Sequence, residues 1–151
     1  MDCKEDNLIY PLHCSKYLLY ICWLSVVSGL YAIYKKHYLL SLIPFGVFLL
    51  VTNYWRNPET NCWRRYVDIM FVFTSIICNT YISFYAENGK YHNLFNSLAI
   101  MCYPISGLFY NYGYIEISTF FHICLHIFAN IALYYLYSGK IEYPSFIKIL
   151  R

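Results

Sequence analysis

Charge is scarce in this chain. Only 13% of its 151 residues are Asp, Glu, Lys or Arg, against 60% apolar, where a soluble domain carries about a quarter charged. With a mean hydropathy of +0.42, this excludes a water-soluble globule. A clustered basic face is also missing, since eleven Lys and Arg against eight Asp and Glu leave a scattered formal +3. Nucleic acid is therefore not an expected partner. There is no CxxC pair, and the seven cysteines are an odd number, four of them (Cys22, Cys78, Cys102 and Cys124) inside apolar runs. Neither a disulfide framework nor a sulfur-ligated zinc site follows. Glycine-rich nucleotide loops, a nucleophile elbow and HExxH are absent too, which removes several enzyme classes.

What is present is a series of long apolar runs. Five can each cross a hydrocarbon core of roughly 30 Å: Tyr17 to Tyr34, Tyr38 to Trp55, Tyr66 to Tyr85, Leu94 to Tyr112 and Ile117 to Tyr137. Barrel strands would alternate polar and apolar residues, and these runs do not. The expected fold class is an all-α, polytopic membrane bundle of five transmembrane helices, spanning 17–137. A polar N-terminal segment (1–16) precedes it, and a basic amphipathic tail (138–151) follows at the headgroups. The first run lacks a cleavage pattern after it and reads as a span rather than a removable signal. Pro44 and Pro104 fall within spans, where kinks are expected. The nineteen tyrosines, often at span ends, suit headgroup belts, and Trp55 reads as an interfacial anchor. Basic residues divide almost evenly between the two faces, so charge does not orient the bundle.

Parity is more informative. With five spans, the N-terminal segment, the end of the second span and the starts of the third and fifth share one face of the bilayer. The unusual polar residues occur there. An ionisable group at mid-membrane costs about 2.5 to 3.5 kcal/mol on insertion scales and so faces the bundle interior or a wet cavity. His122 and His126 stand at i and i+4, about 6 Å apart along one helix face, and Asn130 continues the stripe. On the third span Asp68, Ser75, Asn79 and, less well, Ser83 share a side. Two imidazoles at this spacing supply half of a tetrahedral zinc site, or hydrogen-bond between helices. Asp68 can orient a ligand or act as general base, or pair with Arg64 or Arg65 one turn earlier. Thr52 near the end of the second span can bond back to its own helix. Arg56, Pro58, Trp63, Arg64 and Arg65 form a loop of cations and aromatics that suits an anionic headgroup, or simply flanks the membrane. His37 and His92 sit in turns on the far face.

The order Thr52-Asn53-Tyr54-Trp55-Arg56 at the end of span two, then Asp68, then His122-Ile123-Cys124-Leu125-His126 in the last span resembles the alkaline ceramidases. It is similar also to the wider group of membrane hydrolases that includes adiponectin-receptor-like proteins. Those proteins carry Ser and His at the end of one span, an Asp beyond it and HxxxH in the final span. They have more spans, so a pair of helices before the last would be missing, a loss that preserves parity. The resemblance implies an ER or Golgi membrane and a zinc ion held by His122 and His126. Zinc-bound water would attack a lipid amide or ester, with Asp68 shuttling the proton and Thr52 donating to the oxyanion. The family's first His falls on Trp55, Arg56 or Asn57, depending on register, and Thr52 or Asn53 stands where Ser is expected. His13, Glu116 or Cys14 would have to replace the third ligand. Beside a hydrolase, two further classes fit these residues: a non-catalytic membrane scaffold, and a small channel lined by Asp68, Asn79, His122, His126 and Asn130.

Overall fold

A computed structural model describes residues 10–59 and 62–143, and these form six helices: α1 (Leu12–Ile21), α2 (Trp23–Tyr34), α3 (Tyr38–Trp55), α4 (Trp63–Ser83), α5 (Gly89–Asn111) and α6 (Ile115–Ser138). The protein is an all-α bundle. α1 and α2 form one rod, Leu12–Tyr34, interrupted at Cys22. There the thiol donates to the Leu18 carbonyl at 2.8 Å and the Ser25 amide closes a tighter turn on the Cys22 carbonyl. Helix begins at Leu12, inside the segment read from sequence as polar and preceding the first span.

Four rods are long and apolar enough to cross a membrane: Leu12–Tyr34, Tyr38–Trp55, Trp63–Ser83 and Ile115–Ser138. The fifth expected span belongs to α5, which at 23 residues has the length but carries Asn93, Asn96, Ser97 and Asn111 along it. Several of its polar groups are turned onto neighbouring helices. Ser106 and Ser118 exchange hydroxyl-to-carbonyl bonds between α5 and α6 at 2.8 and 2.9 Å.

The bundle is polar inside and apolar outside. On α4 the buried residues are Asp68, Ser75, Asn79, Ile82 and Ser83, while Tyr66, Met70, Phe73, Ile77 and Tyr81 are exposed. On α2 they are Ser25, Ser28, Gly29 and Ala32. Lipid tails are as apolar as leucine, so large side chains gain nothing by leaving them, whereas small and polar ones let helices approach and bond. Two apolar clusters cap this interior. One joins Cys14, Leu18, Cys22, Val51, Tyr54 and Trp55, and the other joins Ala32, Leu40, Ile82, Leu136, Tyr137 and Ile141.

Helix ends are closed by backbone geometry. After α2, the Lys36 amide bonds the Ile33 carbonyl and the His37 amide bonds that of Ala32, with Lys36 left-handed at φ 63°. After α5 the pattern repeats around Gly113 (φ 80°), with Tyr114 reaching Phe109 by its amide and by its ring, 6.3 Å between centroids. Both are Schellman motifs. Pro44 cannot donate to the Leu40 carbonyl within α3, and the buried Tyr137 hydroxyl donates to it instead at 3.5 Å. After α6, residues 139–143 double back over the α4–α5 turn. Glu87 and Lys140 exchange bonds, Glu142 donates to Tyr85, and Tyr143 meets His37 at 2.8 Å. The start of the expected headgroup tail is thus docked on the bundle, and residues 144–151 lie outside the described residues.

A lysine in the left-handed region is strained where glycine is not. Lys36→Gly should therefore raise stability by up to about 1 kcal/mol, and Gly113→Ala should lower it by about 1 kcal/mol. Thermal unfolding of detergent-solubilised protein, followed by circular dichroism, measures both.

Candidate functional site

The end of α3 meets the starts of α4 and α6 at one end of the bundle, and the N-terminal residues join them there. The Tyr10 hydroxyl lies 2.6 Å from that of Ser118 in the first turn of α6, and its ring packs on Trp55 at 5.4 Å and on Tyr110 at 5.4 Å.

Beneath Tyr10 a column of rings descends into the bundle. Trp55 meets His122 nearly edge-on, with centroids 5.1 Å apart and planes at 73°, and His122 meets His126 at 5.3 Å. Tyr103 of α5 flanks His122 at 6.5 Å. The i, i+4 spacing thus places both imidazoles on one inward face. At 1.5 Å per residue from Ile115, they lie about 10 and 16 Å along α6. Asn130 continues the stripe, donating to the His126 carbonyl at 2.8 Å and accepting from Ser28 at 2.6 Å.

Asp68 is buried in the second turn of α4. Trp55, whose ring meets His122, also packs against the neighbouring Tyr54 ring at 5.0 Å. Pairing of Asp68 with Arg64 is not what forms. Arg64 instead closes the α3–α4 loop, donating to the Asn53 and Asn57 carbonyls and pairing with Glu59 at 3.4 Å. It also reaches the Cys62 sulfur at 3.4 Å. Burial would raise the Cys62 thiol, but that bond, the amides of Arg64 and Arg65 and the Arg64 charge together hold it below its ordinary value. Arg64 is accordingly spent on the loop rather than offered to a headgroup.

Three residues singled out from sequence share one property. Thr52 Oγ1, Asp68 Oδ1 and His126 Nε2 are all buried without a hydrogen-bond partner, together with Asn79 Oδ1 and His92 Nε2. Thr52 does not bond back to its helix, although Thr74, Ser75 and Thr119 each do. A buried polar atom left unpaired costs about 1 to 3 kcal/mol, so each of these atoms weighs against stability.

The other expected ligands do not join. His13 is exposed on α1, Glu116 is exposed at the start of α6, and Cys14 lies within the apolar cluster. Among the described residues no group of three His, Cys, Asp or Glu comes together to hold a metal. Two imidazoles fall short of the three protein donors of a catalytic zinc, so the residues present do not fit that ion. Two placements differ from expectation. Trp55 is buried rather than anchored at the interface. His92 lies inside α5, not in a turn, because the helix starts at Gly89. The chain matches no protein-family model, no curated protein and no solved structure.

Deleting an unpartnered hydroxyl removes only a cost. Thr52→Val should leave the unfolding midpoint unchanged or raised, whereas Ser118→Ala, which breaks the bonds to Tyr10 and Ser106, should lose roughly 1 kcal/mol. Thermal melts of the two variants side by side test the contrast.

Proposed function

We propose that the protein is a non-catalytic, multi-pass membrane protein that keeps the motif order of the ceramidase-like hydrolases and serves as an interaction scaffold, without hydrolytic zinc. The observation that carries this reading is Trp55. Of the three residues on which the family's first histidine can fall, it is the one whose ring meets His122. An indole donates one N–H and has no lone pair for a metal. With the third ligand replaced by an indole, no metal-bound water is generated, and Asp68 has no nucleophile to relieve of a proton. What remains is an inward pair of imidazoles, His122 and His126, packed against Trp55, with buried unpaired polar atoms on Thr52 and Asp68 of the neighbouring helices. Such an arrangement suits recognition of a membrane component better than its cleavage.

The test is metal content. Wild-type protein purified from zinc-supplemented cells should hold far less than one zinc per chain. Trp55→His, which restores a third imidazole beside His122, should raise retention severalfold, and His122→Ala in that background should abolish the gain. Stoichiometric zinc in the wild type, lost on changing His122 and His126 to Ala, would sink the scaffold reading in favour of a hydrolase.

A further inference from the structure

One side of α5 carries features that nothing within the chain explains. α5 runs antiparallel along α6 at matching depth, since His92 Nδ1 stands 3.0 Å from the Ala132 carbonyl near one end and Ser106 bonds Ser118 near the other. It therefore lies in the apolar layer with α6, although it is not among the four rods apolar enough to cross. α4 ties to α5 beside their turn, where Ser83 donates to Asn93 at 2.8 Å and Asn96 donates to Thr80 at 3.3 Å. In steps of three and four residues the Asn93 face of α5 continues through Ser97, Ile100, Pro104, Gly107 and Asn111, and all five are exposed. The matching side of α4, continued from Thr80 to Phe73 and Ile69, is exposed too. Beyond the Thr80–Asn96 bond the two helices thus leave a groove open to lipid.

Three points on that stripe are at odds with a neighbour made only of lipid. Pro104 cannot donate to the Ile100 carbonyl, and no side chain among the described residues donates to it. The buried Pro44 leaves the same gap at Leu40, and there Tyr137 fills it from within the chain. Ser97 makes no side-chain bond among the described residues, whereas Thr74, also exposed, bonds the Met70 carbonyl of its own helix at 2.8 Å. Gly107 weakens the helix that holds it, and a Cβ there would meet nothing within 4 Å, while Gly29 and Gly46 make room for the rings of Phe45 and Phe71. A backbone acceptor without a donor is costly in hydrocarbon, and small residues on a membrane helix are the mark of a second helix coming close.

We infer that the stripe is a dimer interface, covered by α5 of a second copy of this chain related by a two-fold axis along the membrane normal. Copies inserted by one route share an orientation, so each stripe residue then lies level with its own counterpart. Such a seam favours residues that both donate and accept, as Ser97 and Asn111 do, and excludes charges, which would repel their copies; the stripe has none. Its three-and-four spacing is that of a parallel helix pair, in which an asparagine facing its own copy fixes register and the two-chain state. Tyr103 flanks the seam with its ring exposed. Helical side chains lean toward the N-terminus, which brings its hydroxyl level with the Ile100 carbonyl of the other copy, the service that Tyr137 performs for Leu40 inside the chain. This interface goes beyond the scaffold reading and uses none of its histidines.

Energy transfer between dye-labelled copies in phosphatidylcholine vesicles, followed as the protein-to-lipid ratio falls, tests the interface. Wild-type protein should show transfer of a pair that is lost on dilution. Gly107→Leu fills space the chain itself leaves empty, so it should weaken association by roughly tenfold with the unfolding midpoint unchanged, whereas Val27→Leu on the exposed side of α2 should not weaken it. Oxidation reads the position separately. Ser97→Cys should give a disulfide-linked dimer above the wild-type background, and Leu98→Cys, exposed but turned away from the seam, should not. A wild-type protein that stays monomeric at every ratio, its groove filled by lipid, overturns the inference. So does a dimer that survives Gly107→Leu, or one that links through Leu98→Cys in preference to Ser97→Cys.

Discussion

The absence of water along the sides of this bundle is the constraint from which its other features follow. Every backbone group must be paired within the chain, which leaves helices as the spanning elements, and every polar side chain must turn inward. The consequence is visible on α4, where four of the five buried residues are Asp, Ser or Asn and the lipid-facing side is aromatic and aliphatic. The same constraint explains the Tyr137 hydroxyl at Leu40. Pro44 frees that carbonyl, no solvent can reach it, and a tyrosine from the last helix supplies the donor.

Against that background, unpaired polar atoms carry information. Most serines and threonines in the spans close on a nearby carbonyl, as Thr74, Ser75 and Thr119 do. Thr52, Asp68, Asn79, His92 and His126 leave an atom open. In lipid this is costlier than at a wet surface, so the five mark where the interior is shaped for something other than stability. They are spread over four helices, Thr52 on α3, Asp68 and Asn79 on α4, His92 on α5 and His126 on α6.

A helical reading of spacing was enough to find much of this. Advancing 100° per residue put Asp68, Ser75, Asn79 and Ser83 on one side of the third span, and all four are buried. Parity of spans set the N-terminal segment on the same side as the end of α3 and the start of α6, and Tyr10 is found against Trp55 and Ser118 there. Spacing was silent on Tyr10 as a partner of Ser118, since the two are remote in the chain and a tyrosine near a span end suits the interface equally well. It also misplaced His92, because the Asn88-Gly89 pair resembles a turn while the helix in fact starts at that glycine.

By itself the sequence determined the solvent, the helical class, the connectivity of short hairpins and which helix faces are polar, because those depend on composition and on a period intrinsic to the helix. Only the tertiary structure decided which polar atoms find partners. It turned Arg64 onto its own loop instead of Asp68, aimed the Trp55 indole at His122, and gave His92 the Ala132 carbonyl. Each of these depends on the rotation and depth of one rod against another, which packing sets and local spacing does not encode.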